Sequence, residues 1–318
     1  MKKRTISSLG AAALLAMSMV SQPSASADTA CGSFSSGLGQ CINSQLTVAG
    51  TSYNVDWYLP HATASALMLM EHGFSRGCGN LRDTAKATME KGVMVLCLNA
   101  DMSGGNPGLG QALGDLLTAR TFSPPAGKSL PANYIVGGHS AGGHFASVVG
   151  ARIANNGYAN LKGAVLFDPV AQGGFSANLD AISAGGTRPV LSVAARPSVI
   201  NLTNNSFGAL TGLANTFVGI QLVWSGYFFG IPYGGSCHTD VEGNNGDIIG
   251  NTAALCTPNS TQTSRLRDFS SSWAKDLATG THTAAYYCDN STGKVNCGSK
   301  VTGLVNGFFA QASLIRTS

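Results

Sequence analysis

Five short apolar runs recur along the middle of the chain, and helix-like segments separate most of them. The runs cover residues 66–70, 93–98, 133–136, 164–167 and 189–193. Strands that are apolar at almost every position are typical of parallel sheets, because helices cover both faces of such sheets. The segments at 80–91, 108–119 and 141–154 have the length and pattern of crossover helices. We therefore predict an α/β fold with a mostly parallel central sheet and helices on both faces.

Less regular segments flank this pattern. Residues 42–60 alternate in character and predict two strands joined at Gly50. Residues 201–236 are rich in Asn, Gly and aromatic residues, and they interrupt the alternation, so we predict an insertion there. A helix near residues 264–277 and a cysteine-bearing segment are predicted to form a C-terminal extension.

The N-terminus has the pattern of an export signal. Three positive residues at positions 2–4 precede an apolar run over residues 9–20, and Ala25-Ser26-Ala27 fits a cleavage site. The run is shorter than the roughly 20 apolar residues of a membrane span. We predict a signal peptide over residues 1–27, a single secreted domain over residues 28–318, and no membrane anchor. The alternative is that the N-terminal segment is retained as an anchor, against which the cleavage site and the short apolar run argue.

All eight cysteines follow the predicted signal peptide. An even number of cysteines behind an export signal indicates disulfides. The simplest arrangement joins neighbours, although the sequence alone allows roughly a hundred connectivities. The neighbouring pairs are Cys31–Cys41, Cys78–Cys97, Cys237–Cys256 and Cys288–Cys297.

Charged residues are scarce, at 11% of the chain, against about 25% in typical globular domains. Without the three basic residues of the predicted signal, 16 of the 19 Lys and Arg remain against 15 Asp and Glu. This balance excludes a basic surface for nucleic acid. It is compatible with an uncharged or apolar substrate, and equally with an extracellular protein that simply carries few charges. We expect a monomer.

Gly138-His139-Ser140-Ala141-Gly142 matches the pattern G-x-S-x-G between a predicted strand and a predicted helix. This strand–turn–helix setting is that of the nucleophile elbow of α/β-hydrolases. The glycines leave room around the serine in a tight turn, and the following helix N-terminus favours negative charge. We predict Ser140 as a nucleophile. The alternative is a glycine-rich turn with an ordinary N-cap serine.

A serine hydroxyl is a weak nucleophile until a base takes its proton. In α/β-hydrolases the chain order is serine, acid, histidine. His144 follows Ser140 by one helical turn, so it cannot approach the hydroxyl from across the cleft, and His282 lies in a polar loop near the C-terminus. His238 comes late in the chain, in a loop that a disulfide at Cys237 would fix. We predict His238 as the base.

No Asp or Glu occurs between residues 181 and 239, so the usual acid position after the fifth apolar run is empty. Asp168 directly follows the fourth run, at the sheet edge where ligand sites of such folds lie. Asp180 lies further into a loop, and Asp240 is too close to the base in sequence to reach round to its ring. We predict Asp168 as the acid. The alternative is a turn-forming Asp before Pro169.

Two backbone donors are predicted to form the oxyanion hole, the N–H of Ala141 and the N–H of Phe74. Phe74 lies in the loop after the first apolar run, where His72 is better interpreted as orienting the loop than as a base.

Several aromatic residues precede the His238 loop in sequence. Trp224, Tyr227 and Phe228 are candidates for an apolar substrate-binding wall or lid. Core packing of a C-terminal strand explains them equally well.

Neither a cofactor nor a metal site is predicted. Asp240, Glu242 and Asp247 could offer oxygen ligands to Ca²⁺. Their spacing does not fit an EF-hand loop, so we expect a solvated loop.

The set of motifs resembles a known branch of enzymes. His72-Gly73-Phe74, Gly138–Gly142, Phe167-Asp168-Pro169-Val170 and Cys237–Val241 recur in order over roughly residues 60–245. They look like the chlorophyllase and platelet-activating-factor acetylhydrolase branch of α/β-hydrolases, in which the acid follows the strand after the nucleophile. More loosely, the secreted and disulfide-bearing character resembles bacterial cutinases and polyester hydrolases. Those enzymes usually place the acid one strand later, and this sequence departs from them there.

Together these features predict a secreted serine hydrolase that cleaves carboxylic esters through an acyl-enzyme. An esterase or lipase is expected, and its substrate would be a small or polymeric ester, including lipid and polyester. A secreted peptidase or amidase with the same triad is the close alternative, although no charged anchor for a peptide terminus is found. A non-catalytic binding protein is the distant alternative, since a fold alone does not prove a function.

Overall fold

The computed structural model describes residue 31 and residues 34–213, 217–243, 257, 259–289 and 296–311. The predicted signal peptide over residues 1–27 lies outside the described residues, as do Cys256 and Asp247. Its boundary and that of the predicted domain stay predictions.

A nine-stranded sheet forms the centre of the protein. In chain order the described strands are β1 (Gly39–Val48), β2 (Thr51–Pro60), β3 (Leu67–Glu71), β4 (Met94–Leu98), β5 (Tyr134–His139), β6 (Leu161–Phe167), β7 (Val190–Ala194), β8 (Gly219–Leu222), β9 (Trp224–Phe228), β10 (Ile231–Gly235), β11 (Cys288–Asp289), β12 (Asn296–Cys297) and β13 (Ala310–Gln311). The order across the central sheet is β1-β2-β4-β3-β5-β6-β7-β8-β13. The six central strands in this order are parallel to one another: β4, β3, β5, β6, β7 and β8. The outer strands β1, β2 and β13 pair antiparallel with their neighbours.

Helices cover both faces of this sheet. They are α1 (Cys78–Glu90), α2 (Pro107–Ala119), α3 (Ala141–Asn155), α4 (Phe175–Ser183), α5 (Phe207–Gly212), α6 (Ser260–Thr279) and α7 (Ser299–Asn306). On one face α1 packs against α6, and on the other α3 packs against α2 and α4. The predicted mostly parallel sheet with helices on both faces is confirmed.

The apolar runs fill two cores, one on each face of the sheet. Along β3, Leu67 and Leu69 belong to the core under α2 and α3, whereas Met68 and Met70 belong to the core under α1 and α6. Side chains alternate between faces along a strand. A strand in this position must therefore be apolar at every residue, and this explains the pattern in the sequence.

Residues 201–236 differ in part from the prediction of an insertion. β8 continues the parallel order next to β7, so the alternation extends further than expected. The strand has only four residues, and Gly219 and Gln221 interrupt its apolar character, which removes the signal that marks the other strands. The described residues of the segment also include α5 and a separate two-stranded hairpin of β9 and β10.

Three of the predicted disulfides are present, joining Cys31 to Cys41, Cys78 to Cys97 and Cys288 to Cys297. The fourth predicted pair includes Cys256, outside the described residues. Among the helices in the described ranges, none has both the length and the apolar character needed to cross a membrane.

Candidate active site

Neighbouring parallel strands bring the candidate residues to one edge of the sheet. β3, β5 and β6 lie side by side. The Phe74 loop follows β3, Ser140 follows β5 and Asp168 follows β6. Because parallel strands end at the same edge, these segments meet there. His238 arrives from the segment after β10, at the start of a short 3₁₀ turn over Thr239–Val241.

Ser140 occupies the tight turn between β5 and α3 with φ 56° and ψ −124°, a conformation that residues other than glycine rarely adopt. A Cβ on Gly142 would lie 2.2 Å from the carbonyl oxygen of His72. A Cβ on Gly138 would lie 2.5 Å from the carbonyl oxygen of Gly142. Side chains are therefore excluded at both glycines of the motif, and the predicted strand–turn–helix setting is present.

The amino end of α3 begins directly after Ser140. Backbone N–H groups in a first helical turn have no carbonyl partner within the helix and carry partial positive charge. Ala141 is the first residue of α3 and is buried. Its N–H is therefore a donor next to the Ser140 side chain.

The loop between β3 and α1 lies against this turn. A Cβ on Gly73 would be 3.0 Å from the Cβ of Ser140, so the backbone that leads to Phe74 passes beside the serine. The Phe74 side chain itself is 46% exposed. His72 is buried and donates from Nδ1 to the carbonyl of Gly73 at 2.9 Å. Burial lowers the pKa of His72 to about 4, so this histidine is neutral at physiological pH and shapes the loop without adding charge.

His238 and Asp168 are joined by a short hydrogen bond. Nδ1 of His238 donates to Oδ2 of Asp168 at 2.6 Å, and both side chains are buried. The other carboxylate oxygen accepts the backbone N–H of Ala195 at 3.1 Å. The His238 ring also contacts the ring of His139, the residue before Ser140, with 4.3 Å between centroids. The residues predicted as base and acid are thus joined, and the ring of the predicted base contacts the residue directly before the predicted nucleophile.

Asn201 completes the surroundings of Asp168, and sequence reasoning missed it. Its Nδ2 donates to Oδ2 of Asp168 at 3.0 Å and to the carbonyl of Arg196 at 2.9 Å. Its Oδ1 accepts the backbone N–H groups of Ser198 and Asn204. Asn201 follows β7, the strand after which the sequence has no Asp or Glu at the usual position of the acid. A buried amide in that loop therefore binds the candidate acid that follows the neighbouring strand.

The other two histidines after Ser140 make their contacts with residues other than Asp168. His144 is buried on α3, where its Nδ1 accepts the N–H of Gln172 at 3.3 Å and its ring contacts Phe175. His282 is exposed and stacks on Tyr287.

Two of the acidic residues after His238, Asp240 and Glu242, are buried, unlike the solvated loop that the sequence predicts. Asp240 is buried and accepts the backbone N–H groups of Cys237 and Asn259 at 3.0 and 2.7 Å. Glu242 is buried against Arg76. Among the residues that the structure describes, no cluster with the composition of a metal site is found.

The predicted substrate-binding residues lie on the β9–β10 hairpin. Trp224 is at its base, opposite Gly235, and its ring lies 4.1 Å from the guanidinium of Arg196. The backbone N–H of Arg196 donates to Ser236, two residues before His238. Trp224 is therefore next to the segment that carries the histidine.

Tyr227 and Phe228 lie further out on the same hairpin. Tyr227 contacts the rings of Phe308 and Phe309, and Phe228 is 68% exposed. Phe228 pairs with Ile231 at the far end of β10, which at about 3.3 Å per residue is roughly 15 Å along the strand from the His238 segment. The structure thus brings Trp224 near the other candidate residues but leaves Tyr227 and Phe228 on an outer, exposed surface.

Comparison with known proteins identifies the fold. No family model matches the chain, and no curated protein matches its sequence. A fungal esterase from Rhizomucor miehei is similar with a TM-score of 0.50 and 15% identity, over 80% of this chain and 87% of that one. An ester hydrolase from the metagenome of Lake Arreo is similar with a TM-score of 0.50 and 12% identity, over 77% and 84%. The chain has an α/β-hydrolase fold.

Proposed function

We propose that this protein is a carboxylic ester hydrolase that forms an acyl-enzyme on Ser140. The observation that carries the proposal is the 2.6 Å hydrogen bond from His238 to Asp168 beside the strained serine turn. A carboxylate at Nδ1 fixes the proton on that nitrogen. Nε2 is then the basic atom, free to take the proton of a serine hydroxyl.

In the acylation half-reaction the Ser140 oxygen attacks the ester carbonyl carbon while His238 Nε2 takes the hydroxyl proton. The tetrahedral intermediate carries its negative charge on the former carbonyl oxygen. When it collapses, the bond to the alcohol oxygen breaks and His238 returns the proton to that oxygen. Asp168 stabilises the imidazolium that exists between the two transfers.

In the deacylation half-reaction water takes the place of the alcohol. His238 removes a proton from the water, and the hydroxyl attacks the acyl carbon. Collapse of the second intermediate breaks the bond to Ser140, which regains its proton from His238, and the carboxylic acid leaves. The sum is one ester and one water converted to one acid and one alcohol.

We propose that the N–H groups of Ala141 and Phe74 bind the oxyanion in both intermediates. The close approach of Gly73 to Ser140 supports this role for the loop. The first turn of α3 adds the partial positive charge of a helix N-terminus. One such donor is worth about 2.7–4 kcal/mol of transition-state stabilisation in known enzymes.

The position of the acid favours the chlorophyllase and platelet-activating-factor acetylhydrolase branch over the cutinases. Asp168 follows β6, the strand after the nucleophile strand. The loop after β7 supplies the amide of Asn201, not a carboxylate. We therefore propose the former branch as the nearer relative.

The β9–β10 hairpin supports a bulky apolar ester as substrate. No charged residue occurs in residues 224–235, and Tyr227 and Phe228 are exposed. We propose that Trp224 borders the reacting ester and that the two outer rings contact the remote part of a lipid or polyester.

The three disulfides and the signal pattern support secretion. Cleavage after Ala27 would leave Asp28 as the first residue. The mass of the protein recovered from the medium would test this proposal.

The first test compares wild type with Ser140→Ala on p-nitrophenyl esters of short and medium chain length. We expect release by the wild type and none above background by the variant. Ser176→Ala, an exposed serine on α4, is the matched control and should retain full activity. Activity that survives in Ser140→Ala would exclude the proposed nucleophile.

The same proteins also distinguish the amide alternative. p-Nitroanilides that are cleaved at rates similar to the esters would favour a peptidase or amidase. A folded wild type that cleaves neither substrate and does not react with a fluorophosphonate would refute the proposed function.

A further inference from the structure

A buried ion pair joins the two loops that border Ser140. We call residues 72–77, between β3 and α1, the oxyanion loop, and residues 236–243, after β10, the histidine loop. Arg76 belongs to the segment that carries Phe74, and Glu242 follows the 3₁₀ turn after His238. Nε of Arg76 donates to Oε1 and Oε2 of Glu242 at 2.8 and 3.1 Å, and Nη2 donates to Oε2 as well. The Glu242 side chain is 0% exposed and that of Arg76 is 13% exposed. A forked charge pair, shielded from water, therefore connects two segments that are far apart in sequence.

His139 lies between the same two loops. Its Nε2 donates to the backbone carbonyl of His238 at 2.9 Å. Its Nδ1 lies 3.6 Å from Oε1 of Glu242, and a Cβ on Gly73 would be 3.2 Å from that nitrogen. One ring thus contacts the histidine loop, the ion pair and the oxyanion loop, and it belongs to the residue directly before the nucleophile.

The charge of His139 suits a position beside a catalytic base. Burial, and next the neighbouring His238, hold the pKa of His139 well below its usual range. A carbonyl oxygen only accepts hydrogen bonds, so the single proton of the neutral ring is on Nε2. A neutral His139 ring does not repel the positive charge that forms on His238 during the reaction.

We propose that Arg76, Glu242 and His139 are positioning residues that hold the oxyanion loop and the histidine loop at fixed distances from Ser140. The proposal rests on the proposed function. The candidate nucleophile, the N–H donor of Phe74 and the candidate base come from three separate segments, and this cluster touches all three. A misplacement of about 1 Å costs on the order of 100-fold in rate. The cluster therefore acts on turnover and not only on folding.

The first experiment removes the directional bonds one at a time. Glu242→Gln keeps the size of the side chain but loses its charge, and Arg76→Met keeps the stem but loses the donors. We expect kcat for a p-nitrophenyl ester to fall about 10- to 100-fold in each, with KM changed less than about threefold. The second-order rate of fluorophosphonate labelling should fall in parallel. Asp115→Asn breaks an exposed Arg–carboxylate pair and is the matched control, with unchanged kcat.

A conservative pair tests His139 without disturbing the ions. His139→Gln retains an N–H donor at about the place of Nε2, whereas His139→Leu fills the space without a donor. We expect Gln to keep at least a third of the wild-type kcat and Leu to lose at least tenfold. Equal activity of the two variants would refute the role of the hydrogen bond to the His238 carbonyl.

A double variant separates positioning from stability. Replacing a buried ion pair by apolar groups of similar volume often preserves stability, so Arg76→Met combined with Glu242→Leu should melt near the wild-type temperature. We expect its kcat to stay at least tenfold low. A double variant that is both stable and fully active would overturn the proposal. A wild type that fails to react with the fluorophosphonate would instead refute the proposed function.

Discussion

Replacing Asn201 by alanine should reveal how strongly the carboxylate of Asp168 depends on a residue outside the triad. The amide makes four hydrogen bonds, one of them to the Asp168 carboxylate, and it is fully buried. A hydrogen bond to a charged group contributes about 1.5–3 kcal/mol, and each of the three neutral bonds contributes about 0.5–1.5 kcal/mol. We therefore expect Asn201→Ala to lower the free energy of unfolding by about 3–7.5 kcal/mol.

The same change should lower kcat/KM. Asp168 loses one of its three donors and becomes free to rotate away from His238. If the lost bond is worth about 1.5–3 kcal/mol in the transition state, kcat/KM falls by roughly 10- to 150-fold. Urea unfolding and p-nitrophenyl ester turnover measure the two effects separately.

Asn205→Ala is the matched control for this prediction. Asn205 makes two hydrogen bonds to the backbone of Ala171 and is exposed, so water replaces them. We expect a loss of about 1 kcal/mol or less and unchanged turnover. If Asn201→Ala costs no more than this control in either measurement, the amide does not support Asp168 and the reasoning is wrong.

Three further changes give distinct outcomes. Asp168→Asn removes the charge that stabilises the His238 imidazolium, and kcat should fall by about 10⁴-fold, whereas a loss of less than tenfold would exclude Asp168 as the acid. Gly142→Ala places a Cβ 2.2 Å from the carbonyl of His72, and it should destabilise the protein by about 3 kcal/mol in thermal unfolding. Burial raises the pKa of Asp240 to about 6, above its unfolded value of about 3.9. The folded state therefore binds the proton more tightly, and this part of the stability is present below pH ~4 and lost as the pH rises through ~6. Urea unfolding at pH 4 and 7 should show a difference of about 2 kcal/mol in the free energy of unfolding from this group, and Asp240→Asn should remove that difference.

Most of the fold could be predicted because its strands carry a strong local signal. A strand buried on both faces must be apolar at every position, and the five runs of the sequence correspond to β3, β4, β5, β6 and β7. β8 lacks that signal, because two of its four residues are Gly219 and Gln221. In the hairpin after it, Tyr227 contacts Phe308 and Phe309, which follow 81 and 82 residues further along the chain. No local sequence pattern predicts such contacts.

The candidate site also contains residues that a local sequence pattern predicts and residues that it does not. Ser140, Asp168 and Phe74 each follow an apolar run, so the carboxyl edge of the sheet could be inferred for all three from sequence alone. Asn201 could not, because an Asn in a loop of many Asn and Gly residues carries no mark of burial. Its role depends on the single fact that its amide faces the carboxylate of the neighbouring strand.

The burial of some of the few carboxylates could be predicted from the sequence, and that of others could not. Of the chain's 15 acidic residues, six are buried in the described ranges: Asp56, Glu71, Asp168, Asp240, Glu242 and Asp276. Burial of a carboxylate is costly unless hydrogen bonds or an ion pair offset it. Four of the six border the candidate site, and Glu71 and Asp168 directly end apolar runs, where burial can be foreseen. Asp240 and Glu242 follow His238 in a polar stretch that predicts solvent exposure. Their partners lie on other segments: the backbone N–H of Asn259 donates to Asp240, and Arg76 pairs with Glu242. Only the folded structure therefore shows that these two carboxylates are buried and bind the histidine loop to its neighbours.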